Sequence, residues 1–252
     1  MIFYQKYRWS KLIFIIQFIF EKTPRVSFIQ KLFLVAKFYI ISKSIDCPHS
    51  NTEMLLFARA VFFLPQAIDG VLVEAGAYKG GSTAKLSLIA QIVGRKLIVF
   101  DSFQGLPANK EVQSYTEEIM SHQSFKDNLF VFPEGKYKGT LLEVKKNIKK
   151  YGAIDACSFK KGWFEDTMPK FHEKIAAMFL DVDLASSTRT CLKYLYPLLQ
   201  TGGILMSHDG HLTLAAQVYK DRNFWKNEVG VNKPDITKSI KGKIIFIVKP
   251  NR

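Results

Sequence analysis

A chain of 252 residues with 48% hydrophobic and 23% charged residues has the composition of a folded globular protein, and its length suits one large α/β domain with a preceding segment. Its three cysteines, Cys47, Cys157 and Cys191, form no CxxC pair, which excludes a disulfide framework or zinc knuckle and fits the reduced thiols of a cytoplasmic protein. The formal net charge is +14, and about half of it lies in residues 1–44, where Lys6, Arg8, Lys11, Lys22, Arg25, Lys31, Lys37 and Lys43 stand against Glu21 alone.

That basic segment interleaves its charges with apolar runs at residues 12–20 and 32–36. The first run is too short to cross a bilayer, which takes about 20 apolar residues, and residues 21–24 offer no small-residue cleavage site. Two readings stand for residues 1–50. Their helices pack on the following domain or on a second subunit in a homodimer, or a basic amphipathic surface makes peripheral contact with an anionic membrane.

The domain is expected over residues 51–252. Residues 53–65 read as a mostly buried helix stopped near Pro65, and residues 71–74 as a buried strand running into glycines. Residues 82–93 have helical spacing, with Ser82 or Thr83 placed to cap the start and Gly94 to end it. A strand follows at 96–100, then a long irregular stretch at 102–140, which exceeds ordinary loop lengths and reads as a lid or insertion. Residues 141–151 form a basic helix with Leu142, Val144 and Ile148 turned inward. Strands at 156–159 and 175–180, a helix at 187–199, a strand at 203–207, a helix at 211–219 and a strand at 243–248 complete the pattern. Strands alternating with helices predict an α/β fold with a largely parallel sheet covered on both faces.

Ligands of such sheets bind outside the carboxyl ends of the strands. The first strand here runs into Glu74-Ala75-Gly76-Ala77-Tyr78-Lys79-Gly80-Gly81-Ser82. Gly76 permits a tight turn, and Gly80 and Gly81 lead into a helix whose free N–H groups face outward. The spacing is not GxGxxG, and an acid precedes the first glycine. A carboxylate there repels a pyrophosphate but suits a ligand with an ammonium group, such as S-adenosylmethionine. Asp101, at the end of the second strand, has the separation expected of an acid that accepts hydrogen bonds from ribose hydroxyls. The simpler reading of the loop is an ordinary βα turn.

Asp181-Val182-Asp183 follows the fourth strand and His208-Asp209 the fifth. Clustered carboxylates at strand ends suit a hard divalent cation such as Mg²⁺, which acidifies an acceptor oxygen. Methyl transfer to oxygen also needs a base, for which Asp183, His208 and His211 are candidates. The simpler reading of Asp181 and Asp183 is a helix N-cap and a structural hydrogen bond. His49, His122 and His172 join no constellation in the sequence.

Four further stretches are distinctive: residues 73–82, Phe100-Asp101-Ser102-Phe103-Gln104-Gly105-Leu106-Pro107, Gly162-Trp163-Phe164-Glu165-Asp166-Thr167 and Leu180-Asp181-Val182-Asp183-Leu184. With Tyr196-Pro197, Gly202-Gly203 and His208-Asp209, they resemble the macrocin O-methyltransferase family, in that family's order from about residue 53 to 220. The resemblance implies a Rossmann-like class I methyltransferase fold with a seven-stranded sheet. It also implies S-adenosylmethionine as donor, with Mg²⁺-assisted methylation of a sugar or phenolic hydroxyl on a small molecule. By position, Glu74, Gly76, Ala77, Tyr78, Gly80, Ser82, Asp101, Ser102, Gly105, Trp163 and Asp181 would line the cofactor. Asp181, His208 and Asp209 would stand where the family has three metal-binding acids, and Asp181, Asp183, His208 and His211 would carry catalysis.

Two positions depart from the family pattern. Its paired Asp-Asp is His208-Asp209 here, and the aromatic residue that follows Asp-x-Asp-Leu is Ala185. A nucleic-acid acceptor is not expected, because Asp-Val-Asp-Leu replaces the Asn/Asp-Pro-Pro-aromatic turn that holds a flipped base. The remaining alternative is a membrane-docked protein that binds the cofactor without catalysis.

Overall fold

Seven strands form one sheet: β1 (Val71–Ala75), β2 (Leu97–Asp101), β3 (Cys157–Lys161), β4 (Ile175–Leu180), β5 (Leu199–Ser207), β6 (Thr237–Ser239) and β7 (Ile244–Val248). Their order is β3-β2-β1-β4-β5-β7-β6, parallel from β3 to β5, with β7 antiparallel to both neighbours. The computed structural model describes residues 11–116, 129–239 and 242–251. Every residue of β4 is buried, as its unbroken apolar sequence requires of a central strand covered on both faces. Alternate side chains serve opposite faces: Leu72, Val99 and Phe179 point to one core, Val73, Ile98 and Met178 to the other.

The first core is closed by α1 (Lys11–Phe20), α2 (Phe28–Ser44), α3 (Asn51–Phe62), α4 (Gly81–Ile92) and α5 (Leu141–Tyr151). Phe14 and Phe18 of α1 and Leu34, Phe38 and Ile41 of α2 lie in the same buried cluster as the sheet residues. The helices before residue 50 are therefore packed on the domain. Arg59 of α3 anchors the turn between α1 and α2 through a paired contact with Glu21 at 2.5 and 2.6 Å. The second core is closed by α6 (Ala185–Leu195), α7 (Thr213–Lys220) and the buried Trp225.

Element types agree with the sequence pattern, and several boundaries move for identifiable reasons. The helix expected at 82–93 starts at Gly81 behind Gly80, because Ser82 turns its hydroxyl to Glu74 instead of capping. Leu142 is exposed, and the neighbouring Leu141 packs on the core with Val144 and Ile148. The helix expected to run to residue 199 ends at Leu195 in a short turn over Tyr196–Leu198, where Pro197 cannot continue it. The seventh strand, β6, is a three-residue edge strand with no apolar run of its own.

Candidate active site

Strand order reverses between β1 and β4, and a cleft opens there, outside the carboxyl ends of β1, β2, β4 and β5. It encloses about 1100 Å³ including its open mouth. Gly76 adopts φ +90°, and a Cβ at that position would lie 1.9 Å from the carbonyl oxygen of Asp181. The first glycine is thus what lets the β1 turn lie against the exit of β4. Asp101 organises the same turn: its carboxylate accepts from the Ala77 N–H at 2.6 Å and the Phe103 N–H at 2.5 Å.

Gly76, Ala77, Tyr78, Ser82, Asp101, Ser102, Gly105, Trp163 and Asp181 all stand on the cleft wall. Glu74 and Gly80 do not. Gly80, at φ +84°, makes the left-handed start of α4. Glu74 is fully buried behind the wall, where one oxygen accepts from the Ser82 hydroxyl at 2.6 Å and the other has no partner. Burial raises its pKa to about 7, against the opposing pull of the Ser82 hydrogen bond.

At the β4–β5 end, side chains from distant segments meet. One oxygen of Asp181 lies 2.8 Å from His49 Nε2 and the other 3.3 Å from His208 Nδ1. His208 Nε2 lies 3.6 Å from Glu53 Oε2, so both of its ring nitrogens face carboxylates. The two imidazoles stack edge to face at 4.6 Å. Burial opposes charge on both rings, but Asp181 overrides it, raising His49 to about 10 and His208 to about 9. Burial likewise disfavours charge on Glu53, but its bond to His208 prevails and holds it at about 2. Asp181 thus favours the charged form of both imidazoles.

His211 behaves in the opposite way. Burial and the neighbouring His208 charge lower it to about 4, so it is neutral. Its Nδ1 lies 3.0 Å from the His208 carbonyl oxygen, which fixes the proton there and leaves Nε2 as the acceptor. Asp183 follows at φ +61°, one of four non-glycine residues among those described with left-handed backbone; Tyr78, Phe103 and Tyr137, the others, also border the cleft or its turns. Neither Asp181 nor Asp183 caps α6. That cap comes from Glu111, whose carboxylate accepts from the Ala185 and Ser186 N–H groups at 2.7 and 2.9 Å.

The three residues at the family's metal positions, Asp181, His208 and Asp209, fall in two overlapping clusters. Two groups bring ligand atoms within 4.8 Å of one another among the described residues: His49, Asp181 and His208, and Asp181, Asp183 and Asp209. The second is a hard oxygen set and fits a divalent cation. Asp209 is fully buried, with Oδ2 accepting from the Val182 N–H at 3.0 Å and Oδ1 without a partner. Burial and the crowding of Asp181 hold Asp183 at about 7 and Asp209 well above the carboxylate range, a strain that a cation relieves. His208 belongs to the first of these groups, and Asp183 joins Asp181 and Asp209 in the second.

His49 and Glu53 are the site residues that the sequence pattern does not reveal. Glu53 carries a local signal, the Ser50-x-x-Glu53 capping box that starts α3. His49 carries none, since only the packing of α3 on the sheet brings it to Asp181. His172 is exposed, and His122 lies outside the described residues, as does the middle of the insertion at 102–140. The described flanks of that insertion wall the cleft with Gly105, Leu106, Pro107 and Tyr137, and Tyr115 stacks on His211 at 5.9 Å.

Comparison with known proteins adds independent findings. The family model described as Macrocin-O-methyltransferase (TylF) matches residues 58–243. The 8-demethyl-8-(2,3-dimethoxy-alpha-L-rhamnosyl)-tetracenomycin-C 4'-O-methyltransferase of Streptomyces olivaceus is 28% identical over 177 residues, 68% of this chain and 63% of that protein. The mycinamicin III 3''-O-methyltransferase of Micromonospora griseorubida is 29% identical over 174 residues, 66% of each chain. The chain thus spans just under two thirds of the length of these relatives. The solved structure of the O-methyltransferase NovP superposes with a TM-score of 0.68 over 88% of this chain and 100% of that one, at 19% identity, and shares the fold.

Proposed function

The chain belongs to the macrocin O-methyltransferase family, and from that premise we propose that it transfers the methyl group of S-adenosylmethionine to a hydroxyl of a glycosylated or phenolic small molecule. One observation carries the reading: a single cleft joins an acidic, non-phosphate turn at β1–β2 to an acid–imidazole cluster at β4–β5. The names of the two relatives, which specify a 4'-O- and a 3''-O-methyltransferase, support a sugar hydroxyl.

At the donor end, the Asp101 carboxylate keeps lone pairs beyond those taken by Ala77 and Phe103 and can accept ribose hydroxyls. Glu74 acts indirectly, by holding Ser82 in the first turn of α4. At the acceptor end, His49 and His208 fix Asp181 from two sides and keep it ionised. Asp181, Asp183 and Asp209 would hold a divalent cation, which when bound acidifies an acceptor hydroxyl. His211 Nε2 takes the hydroxyl proton as the oxygen attacks the methyl carbon. The carbon–sulfur bond breaks, its electron pair stays on sulfur, and S-adenosylhomocysteine results.

The test is transfer from methyl-labelled S-adenosylmethionine to a panel of rhamnosylated and phenolic acceptors. Removing a general base costs about 10²- to 10⁴-fold in rate, so His211→Ala is expected to lower kcat by that much with cofactor affinity unchanged. A wild-type protein that binds cofactor and methylates no acceptor would favour the non-catalytic alternative.

A further inference from the structure

Ten of the sixteen large apolar side chains exposed among the described residues lie on α1 and α2, which is a concentration and not a scatter. On α1, Leu12, Ile16 and Phe20 are spaced by four and share one face; on α2, Ile29, Phe33 and Ile40, spaced by four and then seven, also share one. Phe20 is 70% exposed and Ile29 75%. The Phe20 and Phe28 rings lie 5.3 Å apart, so the two exposed faces are continuous. The opposite faces of both helices are already buried in the core, so this apolar face is additional to the one that packs on the domain.

The rim of this face is cationic. Lys11 and Lys43 are exposed on the same two helices, Lys22 and Arg25 are exposed in the turn that joins them, and Lys37 lies over the Phe33 ring at 5.5 Å. Glu21 is the one acid in residues 11–44, and it is committed to Arg59. A second copy related by a two-fold axis would set this patch against itself, placing cations opposite cations with no acid between them. An anionic lipid surface offers both complements, an acyl layer for the aliphatic residues and negative headgroups for the rim. No helix of the described residues is long and apolar enough to cross a membrane, which leaves α1 and α2 in its plane.

We propose that α1 and α2 form a docking face for an anionic bilayer, with Leu12, Ile16, Phe20, Ile29, Phe33 and Ile40 entering the acyl boundary. The inference is independent of methyl transfer, although α2 leads directly into Asp46, Cys47, Pro48 and His49, which line the cleft.

Sedimentation of the full chain with phosphatidylcholine vesicles, with and without phosphatidylglycerol, tests it. The wild type is expected to pellet with the anionic vesicles at low salt and to be released at high salt. Each cation removed by Lys22→Gln or Arg25→Gln is expected to weaken binding roughly fivefold. The double substitution Ile29→Asp with Phe33→Asp should abolish it. Both side chains are exposed, and an unchanged circular-dichroism melt separates lost docking from lost folding. A wild type that stays in the supernatant at low salt overturns the proposal, as does binding that Ile29→Asp with Phe33→Asp leaves intact. So does a dimer, seen by light scattering, that the same double substitution dissociates.

Discussion

At the β1–β2 end of the cleft, one carboxylate, Asp101, organises backbone: it accepts N–H groups from two adjoining turns, one that follows its own strand and one that follows the neighbouring strand β1. At the β4–β5 end, side chains meet side chains. His49 and Glu53 come from around the start of α3, Asp181 and Asp183 from the exit of β4, and His208, Asp209 and His211 from the exit of β5. A turn held by its own backbone tolerates changes elsewhere, whereas a network of buried charges fails as a unit when one member is removed.

The largest expected effect follows from that contrast. Asp181→Asn leaves two buried imidazoles without their shared counter-charge, and breaking a buried pair in this way costs about 3–5 kcal/mol. Denaturant unfolding measures it. A loss of only about 1 kcal/mol, the scale of a surface pair, would place the network outside the stability of the fold.

A pH titration of stability is the next test. His49 and His208 have folded pKa values of about 10 and about 9, above their ordinary value of 6.5. Their contribution is therefore fully present below pH 6.5 and is lost as pH rises through 9 and 10. Urea unfolding at neutral and at high pH should show the decline, and a variant carrying His49→Gln and His208→Gln should flatten it. A wild-type stability that does not fall over this range would mean the rings are neutral in the folded protein.

The smallest effect concerns the insertion. Glu111 caps α6 from 74 residues away in sequence, and losing an N-cap costs about 1 kcal/mol. Glu111→Ala is expected to lower thermal stability by that amount, with little change in the affinity of the β1–β2 end for cofactor. An equal loss of cofactor affinity would show that the two ends are coupled through the insertion.

The same division explains what was legible in the sequence. Strands β1, β2 and β4 announce themselves as apolar runs, and Glu74, Gly76 and Asp101 stand at strand ends where local spacing places them. β6 is too short to carry a pattern. Ser82 reads as a cap by propensity, yet a tertiary partner, the buried Glu74, claims its hydroxyl. At the β4–β5 end, Asp181, Asp183, Asp209 and His211 are readable as residues that follow strands. The partner that fixes Asp181, His49, has no motif, and the Glu111 cap depends on a contact across the insertion. The replacement of a family acid by His208 is visible in the sequence. Its consequence, an imidazole set between Asp181 and Glu53, is visible only once α3 is packed on the sheet.

The central claim is that the β1–β2 end binds S-adenosylmethionine through Asp101, and titration calorimetry with S-adenosylhomocysteine tests it most directly. Hydrogen bonds to a charged acceptor contribute roughly 1.5–3 kcal/mol, so one-site binding to the wild type should weaken by that amount in Asp101→Ala. No heat at high micromolar ligand, or an affinity that Asp101→Ala leaves unchanged, would contradict it.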